Sequence, residues 1–248
     1  MAARILVATR STHKLRELQE LLAAPSLGSP VGVPTGVRRA TAAPSLGSQV
    51  GVRRATAAPS FGSLALELVS LDDLGIADEV EETGATFEAN ARLKARAYAR
   101  RSGLPTLADD SGIEVDALHG GPGVRTRRYA GERATDEENN AKLLAALAGL
   151  PPERRGARYV CVLALAQPEG AGPRGGLPLV IARGTCRGRI ADAPHGSGGF
   201  GYDPIFEPAA EPPGGRTLGL YAAAEKNAIS HRARAARRMA RRLVELRW

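Results

Sequence analysis

The sequence predicts an α/β fold built on a mixed, twisted sheet with flanking helices. Three observations predict it. Short apolar runs alternate with stretches of helical spacing along most of the chain. The first such pair, RILVAT at 4–9 and the spaced Leu15, Leu18, Leu21 and Leu22, is joined by a polar turn. Two long apolar runs, 157–166 and 177–186, follow one another across a Gly/Pro-rich turn, as hairpin strands do. The chain has 248 residues, 43% of them hydrophobic, which supplies enough apolar surface for a sizeable core.

Taken in order, RILVAT reads as a buried strand. The polar turn Arg10-Ser11-Thr12-His13 then opens a helix. A strand–turn–helix junction of this kind suits phosphate, because a helix N-terminus offers free N–H groups. Residues 24–63 break the pattern: GVRRATAAPSLGS at 36–48 returns as GVRRATAAPSFGS at 51–63. Two copies poor in large apolar groups cannot build a solenoid, so this stretch is expected to be a disordered insertion within a single domain spanning 1–248. The run 64–71 is a strand and 79–83 an acidic loop. Thr86 caps the next helix, whose apolar face is Phe87, Ala91, Ala95 and Tyr98 and whose end is Gly103. Residues 104–108 read as a strand running into Asp109-Asp110-Ser111-Gly112. Thr135-Asp136-Glu137-Glu138 is a capping box opening a helix to Leu147. After the hairpin comes a Gly-rich loop, 195–203. A final helix begins near Ala222 or Ser230 and continues to the end.

The formal net charge is +8, which first suggests nucleic acid. Its distribution argues otherwise. The stretch 24–63 carries four Arg and no acid, and the tail 231–248 carries seven Arg against one Glu, so the remainder of the chain is slightly acidic. Aromatics are 4% and do not interleave with the Arg clusters, so a strand-stacking surface is not expected. The only lysines are Lys14, Lys94, Lys142 and Lys226, in a chain that otherwise uses Arg. No apolar run approaches the roughly 20 residues that span a bilayer, and the apolar stretch at the N-terminus is too short for a signal peptide. The expected location is cytoplasmic. Cys161 and Cys186 lie in strand-like runs and read as buried thiols, neighbours across a sheet, without zinc-site spacing.

Three motifs carry chemistry. Asp109-Asp110 follows a strand, where ligands of open α/β sheets sit. Adjacent carboxylates repel, and Mg²⁺ would relieve that repulsion; a solvated Asp-Asp turn fits the residues equally well. The loop 195–203 has four glycines at 196–201, which let backbone approach a ligand, and Phe200 and Tyr202 could sandwich a planar base or tuck into the core. In 225–232, EKNAISHR, the Arg fork suits a carbonyl or phosphate oxygen, although an amphipathic helix with solvated charges would look the same.

Together these segments resemble one family, the inosine/xanthosine triphosphate pyrophosphatases of the RdgB type. The matching stretches are ILVATRSTHKLREL (5–18), EETGATFEANARLKA (81–95), LPTLADDSGIEVDAL (104–118), GGPGV with RYAG (120–131), GTCRGRI (184–190), GSGGFGYDPIF (196–206) and EKNAISHR (225–232). The resemblance covers the chain except 24–63. It implies a two-lobed single domain with the active-site cleft between the lobes, and hydrolysis of ITP, dITP and XTP to monophosphate and pyrophosphate. It also implies Mg²⁺, a homodimer, and roles for particular residues. Asp110 would be the general base, with Glu82, Asp109 and Asp110 around the metal. Thr9, Arg10, Ser11, Thr12, His13 and Lys14 would bind the triphosphate, and Ser111 would touch substrate. Phe200, Gly201, Tyr202 and Asp203 would clamp base and sugar. Lys226, His231 and Arg232 would face the purine. Two positions depart from the family: Thr9-Arg10-Ser11 stands where Thr-Gly-Asn is common, and Arg125 where an aromatic is. The alternatives are a Maf-like pyrophosphatase for modified nucleotides, which leaves FGYD and SHR unexplained, and a basic nucleic-acid-binding protein, which leaves ADDSG without a task.

Overall fold

A computed structural model describes residues 3–23, 66–168 and 179–245. The duplicated stretch 24–63, with its expected disorder, lies outside the described residues, as does most of the Gly/Pro-rich turn after residue 166. The elements are β1 (Ala3–Ala8), α1 (Thr12–Ala23), β2 (Leu66–Ser70), α2 (Phe87–Ser102), β3 (Thr106–Val115), α3 (Asp136–Ala146), β4 (Gly156–Ala166), β5 (Val180–Ile190), β6 (Phe206–Pro208), α4 (Ala223–Ile229) and α5 (His231–Glu245). They form one six-stranded sheet in the order β2-β1-β3-β4-β5-β6. β1 is parallel to β2 and β3, and the remaining neighbours are antiparallel, so the sheet is mixed as the sequence predicts.

Strand alternation sorts the core. Ile5, Val7, Leu107, Cys161, Leu163 and Leu165 face one side, where Leu18 and Leu22 of α1 and Ala235, Met239 and Leu243 of α5 cover them. Leu6, Ala8, Ala108, Val160, Val162 and Ala164 face the other, against Phe87, Ala91, Ala95 and Tyr98 of α2. The far halves of β3, β4 and β5 pack with α3 through Ile113, Val115, Tyr159, Leu143 and Leu147. Thr86 caps α2 by accepting from the Ala89 N–H at 3.1 Å. Gly103 ends α2 in the left-handed region at φ 66°. The capping box at Thr135 and Glu138 is present.

Three boundaries differ from the sequence reading. β3 does not stop at Ala108 but runs on through Asp109, Asp110, Ser111 and Gly112, which pair with Leu163, Val162, Cys161 and Val160 of β4. A long apolar partner strand keeps polar residues in the ladder, because the backbone bonds form whatever the side chains are. β5 likewise extends to Ile190. The C-terminal helix is two helices. Ser230 is extended (φ −63°, ψ 155°), and its Oγ accepts from the Ala233 N–H at 3.1 Å, so it ends α4 and caps α5.

Candidate active site

Because β1 ends at Ala8 opposite Ala108, Asp109 and Asp110 lie just beyond the carboxyl end of β1 while remaining inside β3. Consecutive residues of a strand point to opposite faces, so the two carboxylates go different ways. The pair expected around one ion thus meets different partners on the two faces.

Asp109 points toward α1 and α5 and is 2% exposed. Lys14 Nζ lies 2.6 Å from its Oδ1, and Ser111 Oγ donates to the same oxygen at 3.0 Å. Arg232 Nε donates to Oδ2 at 3.2 Å, and the Cys161 thiol at 3.1 Å. Burial alone would raise this carboxyl, but Lys14 and Arg232 outweigh it and hold the group well below the usual carboxylate range. Arg232 is 1% exposed, and its guanidinium also reaches Glu17 and the Ser111 hydroxyl. Glu17 in turn accepts from Lys226 Nζ at 2.7 Å. The close approach of α5 depends on Gly184 of β5, where an added Cβ would sit 2.1 Å from the His231 carbonyl oxygen and 2.4 Å from the Ala235 nitrogen.

Asp110 points toward α2. Lys94 Nζ lies 3.5 Å from its Oδ1, 2.6 Å from Glu82 Oε1 and 2.7 Å from the Asp109 carbonyl oxygen. Asp110 Oδ2 is buried and makes no hydrogen bond among the described residues. Burial raises the Asp110 carboxyl to about 6, with Lys94 opposing the rise and Glu82 adding to it. A carboxyl poised near neutrality with one oxygen uncommitted is what a general base needs. Among the described residues no group of three or more His, Cys, Asp or Glu side chains is arranged to hold a metal ion. Glu82 and Asp110, which share Lys94, fit the one or two carboxylates that Mg²⁺ takes alongside phosphate and water. Asp109, with both oxygens bonded, does not fit that role.

The Gly-rich loop packs on the first turn of α1. Phe200 stacks on His13 of that turn, with ring centroids 5.2 Å apart, and Lys226 Nζ lies 4.5 Å from its ring centre. Asp203 holds the loop from within: its Oδ2 accepts from the Phe200 N–H at 2.9 Å and from Lys226 at 2.8 Å. From α3, Asp136 accepts from the Gly201 N–H at 2.6 Å, and the Asn140 amide donates to the Gly201 carbonyl at 3.1 Å. Tyr202 takes the core alternative, 2% exposed with its hydroxyl donating to the Thr126 carbonyl at 2.8 Å. His231 is buried against Tyr159, with ring centroids 4.6 Å apart and planes 6° off parallel. Among the described residues its Nδ1 has no partner, and burial pushes its pKa well below the usual imidazole value.

The structure therefore gathers Lys14, Ser111, Asp109, Lys226, Arg232 and Asp203 on one side and Glu82, Asp110 and Lys94 on the other. In the phosphate turn, the hydroxyls of Thr9 and Ser11 accept from backbone N–H groups of Ser11 and Lys14, and Thr12 is an exposed first residue of α1. Arg10 turns away from the turn to carbonyls of the segment after β2. Sequence reasoning missed Glu17 and Lys94 as site residues. Signals for both existed: Glu17 lies three residues from Lys14 on one helix face, and Lys94 is one of four lysines in an Arg-rich chain. Three of those four lysines converge here. Cys161 and Cys186 are buried free thiols on adjacent strands, as expected, but offset: Cys186 pairs with Tyr159 and Cys161 with Gly184.

Comparison with known proteins places the chain in a family. The Ham1 family pattern matches residues 52–242. The chain is 49% identical over 210 residues to a dITP/XTP pyrophosphatase of Anaeromyxobacter sp. (strain Fw109-5), covering 73% of this chain and 87% of that one. It is 41% identical to the dITP/XTP pyrophosphatase of Nocardia farcinica, over 98% of this chain and 96% of the relative. A solved HAM1 protein from Coxiella burnetii superposes with a TM-score of 0.72 at 34% identity, covering 98% of this chain and 99% of that one.

Proposed function

The chain belongs to the Ham1 family, and from that premise we propose that its cleft hydrolyses the aberrant purine nucleotides ITP, dITP and XTP to the monophosphate and pyrophosphate. The observation that carries the reading is Asp110: a buried carboxyl raised to about 6, one oxygen free of partners, beside Lys94 and across the strand from Lys14 and Arg232. Asp110 takes a proton from water. The water oxygen bonds to the α-phosphorus as the bond to the bridging oxygen breaks, and pyrophosphate leaves. Lys14 and Lys94 face the charge that develops on the phosphate oxygens.

The metal reading rests on charge. Lys14, Lys94, Lys226 and Arg232 stand among five carboxylates, Glu17, Glu82, Asp109, Asp110 and Asp203. That set cannot neutralise a triphosphate. Mg²⁺ held by Glu82 and Asp110 would supply the missing charge and Lewis acidity.

Purine selection rests on donors. Lys226 gives two of its three N–H bonds to Glu17 and Asp203, leaving one for an acceptor beside Phe200. A 6-oxo group accepts there, whereas a 6-amino group leaves the donor unpaired and is disfavoured. No helix among the described residues is long and apolar enough to cross a membrane. A cytoplasmic homodimer completes the reading, and size-exclusion chromatography tests the assembly.

The deciding experiment is pyrophosphate release from ITP, XTP, GTP, ATP and dTTP with Mg²⁺ and with EDTA. Preference for ITP and XTP, abolished by EDTA, is the expected result. Preference for pyrimidines would overturn the substrate assignment in favour of a Maf-like enzyme, and no release from any nucleotide would overturn the hydrolytic reading.

A further inference from the structure

Arg10 has more contacts to a distant segment than to its own turn. Its Nη2 donates to the Ile76 carbonyl at 2.7 Å and to the Ala77 carbonyl at 2.6 Å. Its Nη1 lies 3.4 Å from Asp72 Oδ1, and its Nε 3.6 Å from Glu79 Oε1. One guanidinium thus reaches two carbonyls and two carboxylates, all in the stretch between β2 and α2.

From the side of the N-terminal turn Arg10 holds that stretch, whose Leu74, Ile76 and Val80 pack against the core beside α2. Residues 76–84 form no helix or strand. On the other side, α2 holds it through the Tyr98 hydroxyl, which donates to the Asp78 carbonyl at 3.1 Å, and the Asn90 side chain, which accepts from the Gly84 N–H at 2.7 Å. Between those anchors sits Glu82, the carboxylate that shares Lys94 with Asp110.

We propose that Arg10 is a positioning residue: it straps the segment 72–79 to the phosphate turn, and through that segment it sets where Glu82 stands relative to Asp110. A guanidinium is suited to the task, because Nη2 bonds two successive carbonyls while Nη1 and Nε face Asp72 and Glu79, a spread that a single ammonium centre does not span. Arg10 then contributes to the cleft without touching substrate. The inference deepens the reading of Glu82 and Asp110 as the cation site, and it is tested without turnover.

The test compares the wild-type protein with Arg10→Ala, Arg10→Lys and Arg16→Ala. Arg16 lies on α1, the helix that follows the turn, and among the described residues its ion pair is with exposed Glu20, so its variant controls for loss of charge. Three quantities are read: hydrogen exchange of the 76–84 amides without metal, Mn²⁺ binding by water-proton relaxation, and tripolyphosphate binding by calorimetry. In Arg10→Ala the expected result is exchange at least about threefold faster and Mn²⁺ binding at least about threefold weaker, with Arg10→Lys only partly restored and Arg16→Ala unchanged. Unchanged exchange with weakened tripolyphosphate binding would make Arg10 a direct phosphate ligand and overturn the strap. Faster exchange with unaltered Mn²⁺ binding would reduce it to a tie without influence on Glu82, which also overturns the proposal. Wild-type hydrolysis of ITP is assayed separately, so failure of the substrate reading and failure of the strap cannot be confused.

Discussion

Asp109 and Asp110 are neighbours in sequence and differ in almost everything that matters. Asp109 is surrounded by Lys14, Arg232, Ser111 and the Cys161 thiol, with both oxygens engaged. Asp110, one residue on, has Lys94 at 3.5 Å from one oxygen and, among the described residues, no hydrogen-bond partner for the other. Strand alternation sends one into a cationic pocket under α5 and the other toward α2. The lesson is that two identical carboxyls acquire opposite tasks from the side of the sheet they face. Asp109 is fixed as an anion and organises the cations around it, whereas Asp110 is left able to exchange a proton.

The sharpest way to break the comparison is to neutralise each in turn. Asp110→Asn should fold and lower kcat by about 10² to 10⁴, the usual contribution of a general base. Retained turnover in the nucleotide assay would remove Asp110 from that role. Asp109→Asn should act mainly on stability, costing about 3 kcal/mol in urea melts, because Lys14 and buried Arg232 lose the charge they are paired with. If the two variants proved equally stable, the distinction would fall.

The same contrast appears in pH dependence, measured in EDTA. Asp110 has a raised folded value, so its contribution is fully present below the unfolded carboxyl value near 4 and is lost as pH rises through about 6. Asp110→Asn should therefore be more stable than wild type by about 3 kcal/mol at pH 8, with the advantage disappearing toward pH 4. Asp109, with a lowered folded value, contributes above the unfolded value and loses that contribution only in stronger acid. Wild-type thermal melts from pH 8 to 3 should thus pass through a maximum, and a monotonic fall from pH 8 would contradict the Asp110 environment.

Smaller effects sharpen the picture. Phe200→Ala should raise KM for ITP roughly tenfold, since the ring offers its face beside Lys226, and should change kcat little. Cys161→Val should cost about 1 kcal/mol, because it removes one of four donors to Asp109 while keeping similar bulk.

Much of this was legible in the sequence. The mixed sheet followed from alternating apolar runs and helical spacing, and the caps at Thr86, Gly103 and Thr135 from residues whose chemistry acts within one turn. The motifs ADDSG, GGFGYDPIF and KNAISHR were enough to indicate the family. Local order carried these because each signal involves residues close in the chain.

What the tertiary structure decided is every relation that crosses the sheet. The continuation of β3 through Asp109 and Asp110 depended on β4 offering an apolar ladder of matching length. The split at Ser230 turned one expected helix into two and delivered His231 and Arg232 to the first turn of α5. Glu17 and Lys94 joined the site only because α1 and α2 pack on opposite faces of the sheet. Arg10, read from the sequence as a phosphate contact, bonds the carbonyls of Ile76 and Ala77, in a segment more than sixty residues away. A sequence fixes which groups are charged. Which charge meets which, and at what depth from water, is set by packing, and on that depend the low pKa of Asp109 and the high pKa of Asp110.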